Sequence, residues 1–238
     1  MITAQKPFPY LATATAVLVA FRVLAHDAWV EPSAGPVYRI LYGHKEPEPY
    51  KPAKVTSVKV LDAGQQSLVF SRTEGPAGLS LRNVGGKPAL FALAFDNGYW
   101  VTVGNEHRNV RRSQLPKGEV GSQPAHPLKF SKTILSWQPW MVRPLGQRIE
   151  FVPVGFTGAP KGGSELRLRL LLDGKPLGGQ MVENNSDEQG PKTDADGYVT
   201  VTVRPGINRF ATDHDIAQPN DPDAERLSLT AALVFLSR

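Results

Sequence analysis

Leu166-Arg167-Leu168-Arg169-Leu170-Leu171-Leu172 is the stretch that decides the fold class. Apolar and basic residues alternate strictly up to Leu170, the period-2 signature of a strand with one buried and one wet face. Asp173-Gly174-Lys175-Pro176 then turns the chain. Downstream, Asp194-Ala195-Asp196-Gly197 precedes the alternating run Tyr198-Val199-Thr200-Val201-Thr202-Val203, and residues 227–236 are apolar enough for a closing central strand. With a further strand predicted at 148–154, this is the pattern of a small immunoglobulin-like module.

Toward the N-terminus the same punctuation continues. Strands are predicted at 37–43, 55–62, 67–71, 79–84, 89–95 and 99–103, bounded by Gly, Pro and Asn, with no convincing amphipathic helix between them. Asn97-Gly98 is a strong turn dipeptide and reads as a hairpin with a packed Trp100. Residues 105–127 are polar, basic and Gly/Pro-bearing, which predicts a long surface loop. Residues 128–137 suit both periods, and we read them as a strand. The break at 139–146 marks a boundary. The expected architecture is therefore all-β: two β-sandwich, immunoglobulin-like domains in tandem, 26–138 and 147–238, following a signal peptide at 1–25.

That signal rests on Lys6, the largely apolar run from Leu11 to Phe21, and Val23 and Ala25 at positions −3 and −1 of a cleavage site. Cleavage after Ala25 predicts a periplasmic protein whose first residue is His26. The 238 residues contain 41% hydrophobic residues, enough for a real core. There is no cysteine, which excludes disulfides, thiolate metal sites and cysteine nucleophiles. A net charge of +5 without a long basic run argues against nucleic acid as a partner. No G-x-S-x-G, P-loop or dinucleotide fingerprint supports the common hydrolase, kinase or dehydrogenase readings.

A mature N-terminal histidine offers two nitrogens, its α-amine and ring Nδ1, to one metal ion. One more imidazole would complete a histidine brace, a geometry suited to Cu(II) or Ni(II). His44 follows a predicted strand in Leu41-Tyr42-Gly43-His44, and His214 sits between Asp213 and Asp215, carboxylates able to orient its ring. His126 lies in the predicted loop, and His107 is a weaker candidate in a basic cluster with Arg108, Arg111 and Arg112. Asp194-Ala195-Asp196-Gly197 has Val203 where a calcium loop needs a bidentate Glu, so it reads as a turn.

The segments Ala25-His-Asp-Ala-Trp-Val-Glu-Pro32, Tyr42-Gly-His-Lys-Glu-Pro-Glu-Pro-Tyr50, Phe95-Asp-Asn-Gly-Tyr-Trp100 and Thr193-Asp-Ala-Asp-Gly197 occur in this order. Together they resemble a bacterial family of exported domains of unknown function, labelled nickel uptake transporter family or NikM-like proteins. The resemblance implies a non-enzymatic periplasmic β-sandwich protein that binds a divalent transition metal, nickel or cobalt first and copper or zinc as further candidates. It also implies a membrane metal transporter or outer-membrane receptor as partner. His26 and His44 match the histidines of the first two segments. His214 matches a histidine following the Pro205-Gly-Ile-Asn208 segment. The chain departs from the family at Ala28, where members carry an aromatic residue, and at Lys51, where they carry Asp. The expected metal ligands are His26, His44, His214 and His126, with Asp27, Asp213 or Asp215 holding them. Two readings compete: an immunoglobulin-like interaction module without metal, and a copper-dependent histidine-brace oxygenase using Trp29, Tyr99 and Trp100 as an aromatic face.

Overall fold

Successive side chains of a strand face opposite ways, and in this protein both faces of one long sheet are put to use. The computed structural model describes residues 26–44, 46–82, 84–155, 158–185 and 190–237. The signal peptide expected at 1–25 lies outside the described residues. Among the described residues the only helical pieces are short 3-10 turns at Pro52–Lys54, Arg112–Gln114 and Pro139–Val142, and no helix is long and apolar enough to cross a membrane. The all-β expectation holds.

The first outer sheet has the order β1 (Asp27–Pro32), β2 (Tyr38–Gly43), β5 (Gly78–Arg82), β4 (Ser71–Gly75). The central sheet runs β13 (Glu183–Asn184), β15 (Gly206–Ala217), β16 (Arg226–Ser237), β9 (Ser122–Ile134), β6 (Leu90–Asp96), β3 (Val55–Leu61). Onto the start of β9 it adds β7 (Trp100–Val103), which pairs in turn with β8 (Glu106–Arg108). The second outer sheet is β10 (Ile149–Pro153), β11 (Glu165–Leu172), and then β12 (Lys175–Pro176) and β14 (Tyr198–Thr202), both paired with β11. The β11–β12 turn is the predicted Asp173-Gly174 pair, both with positive φ (49° and 75°), as a two-residue hairpin of matching twist requires.

Each half of the chain contributes one outer sheet, and these cover opposite faces of the common central one. Phe91, Leu93 and Phe95 of β6 join Val30, Ile40 and Tyr42 in the first core. Their neighbours Leu90 and Ala92 join Phe151, Leu168, Val199 and Leu229 in the second. The halves meet where β16 runs parallel to β9. The predicted break at 139–146 holds the last 3-10 turn and the link into β10. That link is clamped from inside: Glu150 accepts the amides of Leu145 and Gly146 at 2.9 Å each, and pairs with Lys132 of β9. Both side chains are fully buried, and Lys132 also donates to the Phe151 carbonyl at 2.9 Å.

Four local expectations are corrected. Residues 105–127 are not one loop, because β8 and the start of β9 lie within them. Asn97-Gly98 does not make a hairpin: β6 and β7 run along the same edge of β9, with Asp96 opposite Leu128 and Trp100 opposite Ala125. The dipeptide is an irregularity inside one strand line, with Gly98 at φ 72° and its amide on Asp96 Oδ1. The strand expected at 67–71 begins only at Ser71, and β4 is exposed throughout, so no alternation marked it. Finally, β1 and the 12-residue β15 carried too many polar residues to be read as strands at all.

Removal of one partner from a buried ion pair strands the other. Lys132→Met should therefore cost about 3–5 kcal/mol in chemical denaturation, and Lys132→Met with Glu150→Gln should recover part of it. A loss below about 1 kcal/mol would mean that the Leu145 and Gly146 amides hold Glu150 unaided.

Candidate histidine site

The β1–β2 ladder ends at the pair Asp27 and Gly43. His26 therefore stands just before the ladder on one strand and His44 just after it on the other, with ring centroids 6.4 Å apart and planes tilted by 51°. At Gly43 the chain doubles back, bridging to Pro47, and the Glu48 amide returns to the Tyr42 carbonyl at 2.7 Å. A Cβ at residue 43 would lie 2.1 Å from the Glu46 carbonyl oxygen, so only glycine permits this turn.

The turn delivers Glu48 to His26, whose Nε2 lies 2.8 Å from Glu48 Oε1. A carboxylate can only accept, so Nε2 carries a proton, and in the neutral ring it is Nδ1 that keeps the lone pair. The His26 ring stacks on Tyr42 at 5.2 Å, and Tyr42 stacks in turn on Phe95 at 5.1 Å. Burial pushes the Tyr42 hydroxyl up to about 12, and this oxygen accepts from Asn97 Nδ2 at 3.0 Å. Asn97 Oδ1 accepts from Lys54 Nζ at 2.7 Å, and Lys54 lies 5.6 Å from the Trp100 ring centroid.

Beneath the histidines lies a buried charge cluster. Asp27 is 1% exposed, and burial pushes its carboxyl up to about 7 against the pull of Arg209 and Lys129. Arg209 Nε pairs with Asp27 Oδ2 at 3.1 Å, and Arg209 Nη2 donates to the His44 carbonyl. The guanidinium carbon lies 4.3 Å from the Trp29 ring centroid, and Trp29 Nε1 donates to Glu31 at 2.8 Å. Beside it, buried Lys129 donates to Thr230 Oγ1 at 3.3 Å, and Thr230 donates to Asp213 Oδ1, on the exposed end of β15, at 2.5 Å. A cleft of about 480 Å³ opens beside this cluster between Trp29, Glu46, Ile207 and Arg209.

The other expected ligands are not gathered here. His214 is on β15, one residue from Asp213, so its ring faces away from Asp27 and toward the second core with Phe210 and Ile216. His126 is engaged elsewhere: Nε2 lies 2.7 Å from Asp96 Oδ1 and its ring stacks on Tyr99 at 4.3 Å. Arg111 also lies over the Tyr99 ring, at 4.1 Å, and pairs with Asp223, which accepts the Ser113 amide at 2.9 Å. His107 meets Thr102 on β7. Asp215 pairs with Arg226. Among the described residues no group of three His, Asp or Glu side chains is close enough to hold a metal ion by itself. Trp29 is buried and cannot join an exposed aromatic face, which weakens the oxygenase alternative.

Residues 23–216 match the family model described as a domain of unknown function, DUF4198. The chain belongs to the DUF4198 family. The DUF4198 match takes in His26, His44, Glu48, Arg209 and His214. An uncharacterized protein of Haemophilus influenzae is 28% identical to the chain over 225 residues, covering 93% of this chain and 94% of its own length. No solved structure matches.

Sequence reasoning placed His26 and His44 but missed Glu48, Tyr42 and Arg209. Glu48 had a signal in its Pro47-Glu48-Pro49 setting after Gly43. Arg209 had none, since its strand was not recognised.

Two outcomes follow from this geometry. Gly43→Ala must displace the Glu46 carbonyl, so the Gly43–Pro47 bridge and the Glu48–Tyr42 hydrogen bond should be lost, and the coupling between the His26 ring and Glu48 should vanish from imidazole NMR spectra. Intact coupling would show that the turn tolerates a Cβ. At the His126 end, hydrogen bonds from Ser113, aided by Arg111, hold the Asp223 carboxyl below its ordinary range. That contribution to stability is present above pH ~4 and lost as pH falls through the lower native value. The melting temperature of Asp223→Asn should therefore fall short of the parent at pH 7 and converge with it in acid; a constant gap would contradict this.

Proposed function

We propose that this protein is a periplasmic, non-enzymatic binding protein for a divalent transition metal, its site built on the mature N-terminal histidine and assisting metal uptake. The observation that carries the reading is the contact of His26 Nε2 with Glu48 Oε1 at 2.8 Å, with the His44 ring alongside. Glu48 selects the tautomer whose Nδ1 is a ligand, which is how outer-shell carboxylates prepare metal-binding histidines. Cleavage after Ala25 would free the α-amine of His26 next to that Nδ1. Amine, Nδ1 and one His44 nitrogen make three ligands, a set suited to Ni(II) or Cu(II). The requirement for the amine accounts for the lack of a three-side-chain cluster among the described residues. The ligand set is narrower than the four histidines first expected: His214 and His126 are left out.

The resemblance to NikM-like nickel uptake proteins supports nickel or cobalt as cargo and a membrane transporter or outer-membrane receptor as recipient. Before export His26 nitrogen is an amide without a lone pair for metal, so the precursor would not scavenge cytoplasmic ions.

Protein beginning at His26 should bind Ni(II), Co(II) or Cu(II) in calorimetry at neutral pH. A single residue added before His26, or His44→Ala, should weaken binding about 10-fold or more, while His214→Ala and His126→Ala leave it unchanged. Equal affinity with and without the added residue would remove the amine from the site, and no binding of any of the three ions would end the proposal.

A further inference from the structure

His26 and His44 both lie outside the β1–β2 ladder, beyond its last pair at Asp27 and Gly43. No ladder hydrogen bond sets the distance between them. One side chain from the other half of the protein reaches both segments. Arg209 of β15 pairs through Nε with Asp27, the residue after His26, and donates through Nη2 to the carbonyl of His44 itself. We propose that Arg209 is the positioning residue of the histidine site, its guanidinium setting the separation of the His26 and His44 rings. The inference rests on the metal-binding reading and names the group that preorganises the site.

The chemistry of the guanidinium suits the task. The guanidinium is rigid and planar, so the carboxylate paired with it at Nε and the carbonyl that accepts from Nη2 are held at a fixed spacing, which the single ammonium of lysine cannot do. The plane itself is locked. Trp29 lies against it at 4.3 Å, Trp29 is in turn oriented by Glu31, and Arg209 is seated opposite Val234 in the β15–β16 register. Arg209 is 7% exposed and Asp27 1% exposed, so neither is loosened by solvent. A site held from behind in this way binds metal without spending affinity on ordering its ligands.

The test is a double-mutant cycle in protein processed to begin at His26, with Ni(II), Co(II) and Cu(II) salts as probes. Arg209→Lys keeps a positive charge beside Asp27 and loses the fork. It should leave the unfolding transition cooperative, lower affinity for the preferred ion about 10-fold, and produce no further loss in the His44→Ala background, where there is no second imidazole to position. Equal losses in both backgrounds, or no loss in either, would overturn the proposal, because a merely structural arginine does not distinguish the two. Should the parent protein bind none of the ions, the metal reading fails separately. Positioning is then read from imidazole 1H–15N spectra, in which Arg209→Lys should shift the His26 and His44 resonances and leave His107 in place. Unmoved His26 and His44 signals would refute it. If Arg209→Lys does not fold, Asp27→Asn releases the same fork from its other end and is read in the same way.

Discussion

Strands β9 and β16 lie parallel, in register from Arg226 against Ala125 to Phe235 against Ile134. A parallel pair cannot be closed by a tight turn, and here the chain between the two strands builds the whole second outer sheet before it returns. The rest of the molecule depends on that pairing. It makes one central sheet out of two halves, it sets β15 beside β16, and through β15 it brings Arg209 under His26 and His44. The expected sandwiches are present as two cores, but the sheet between them is held in common.

A sheet covered on both faces usually reads as a continuous apolar run. The central sheet departs from this where it meets the outer layers. Lys132 points into the second core and is met by Glu150, while Lys129 on the other face lies near Asp27 and Asp213. These groups lose hydration, and burial draws both lysines below their ordinary values. The compensation is directional: each charge has a partner on a different strand, so a slip by one residue would place a lysine among Phe151 and Leu168 with nothing to meet it. Buried charge thus specifies register where hydrophobic pattern alone would accept alternatives.

The histidine site draws on the same economy. Nothing in it is contributed by a long flexible loop: His26 and His44 flank the end of one ladder, Glu48 is returned by a turn that only Gly43 permits, and Tyr42 fixes the ring of His26 from below with Phe95 behind it. The carboxylate settles which ring nitrogen is protonated, and the stacked tyrosine settles where the ring lies. The side chains gathered there are few, and each retains few degrees of freedom.

Much of this was legible in the chain. The alternation of Leu166 to Leu170, the turn residues Asp173-Gly174 and the closing run at 227–236 declare strands by local physics, because period and turn chemistry are properties of a few consecutive residues. His26 and His44 could be named from their places, one after a predicted cleavage site and the other after a predicted strand. Other features depend on residues far apart meeting. β15 alternates Arg209, Ala211 and Asp213 with Phe210, Thr212 and His214, and no rule of periodicity tells which set faces charge and which faces core until β16 and the outer sheets are in place. For that reason the sequence alone grouped His214 with His26, and the fold sends it to the opposite face. The sequence determined where the strands of clear alternation lie and which residues carry an imidazole. The tertiary structure decided which of them share a face, because that is set by the register of β9 with β16 across a hundred intervening residues and not by any local preference.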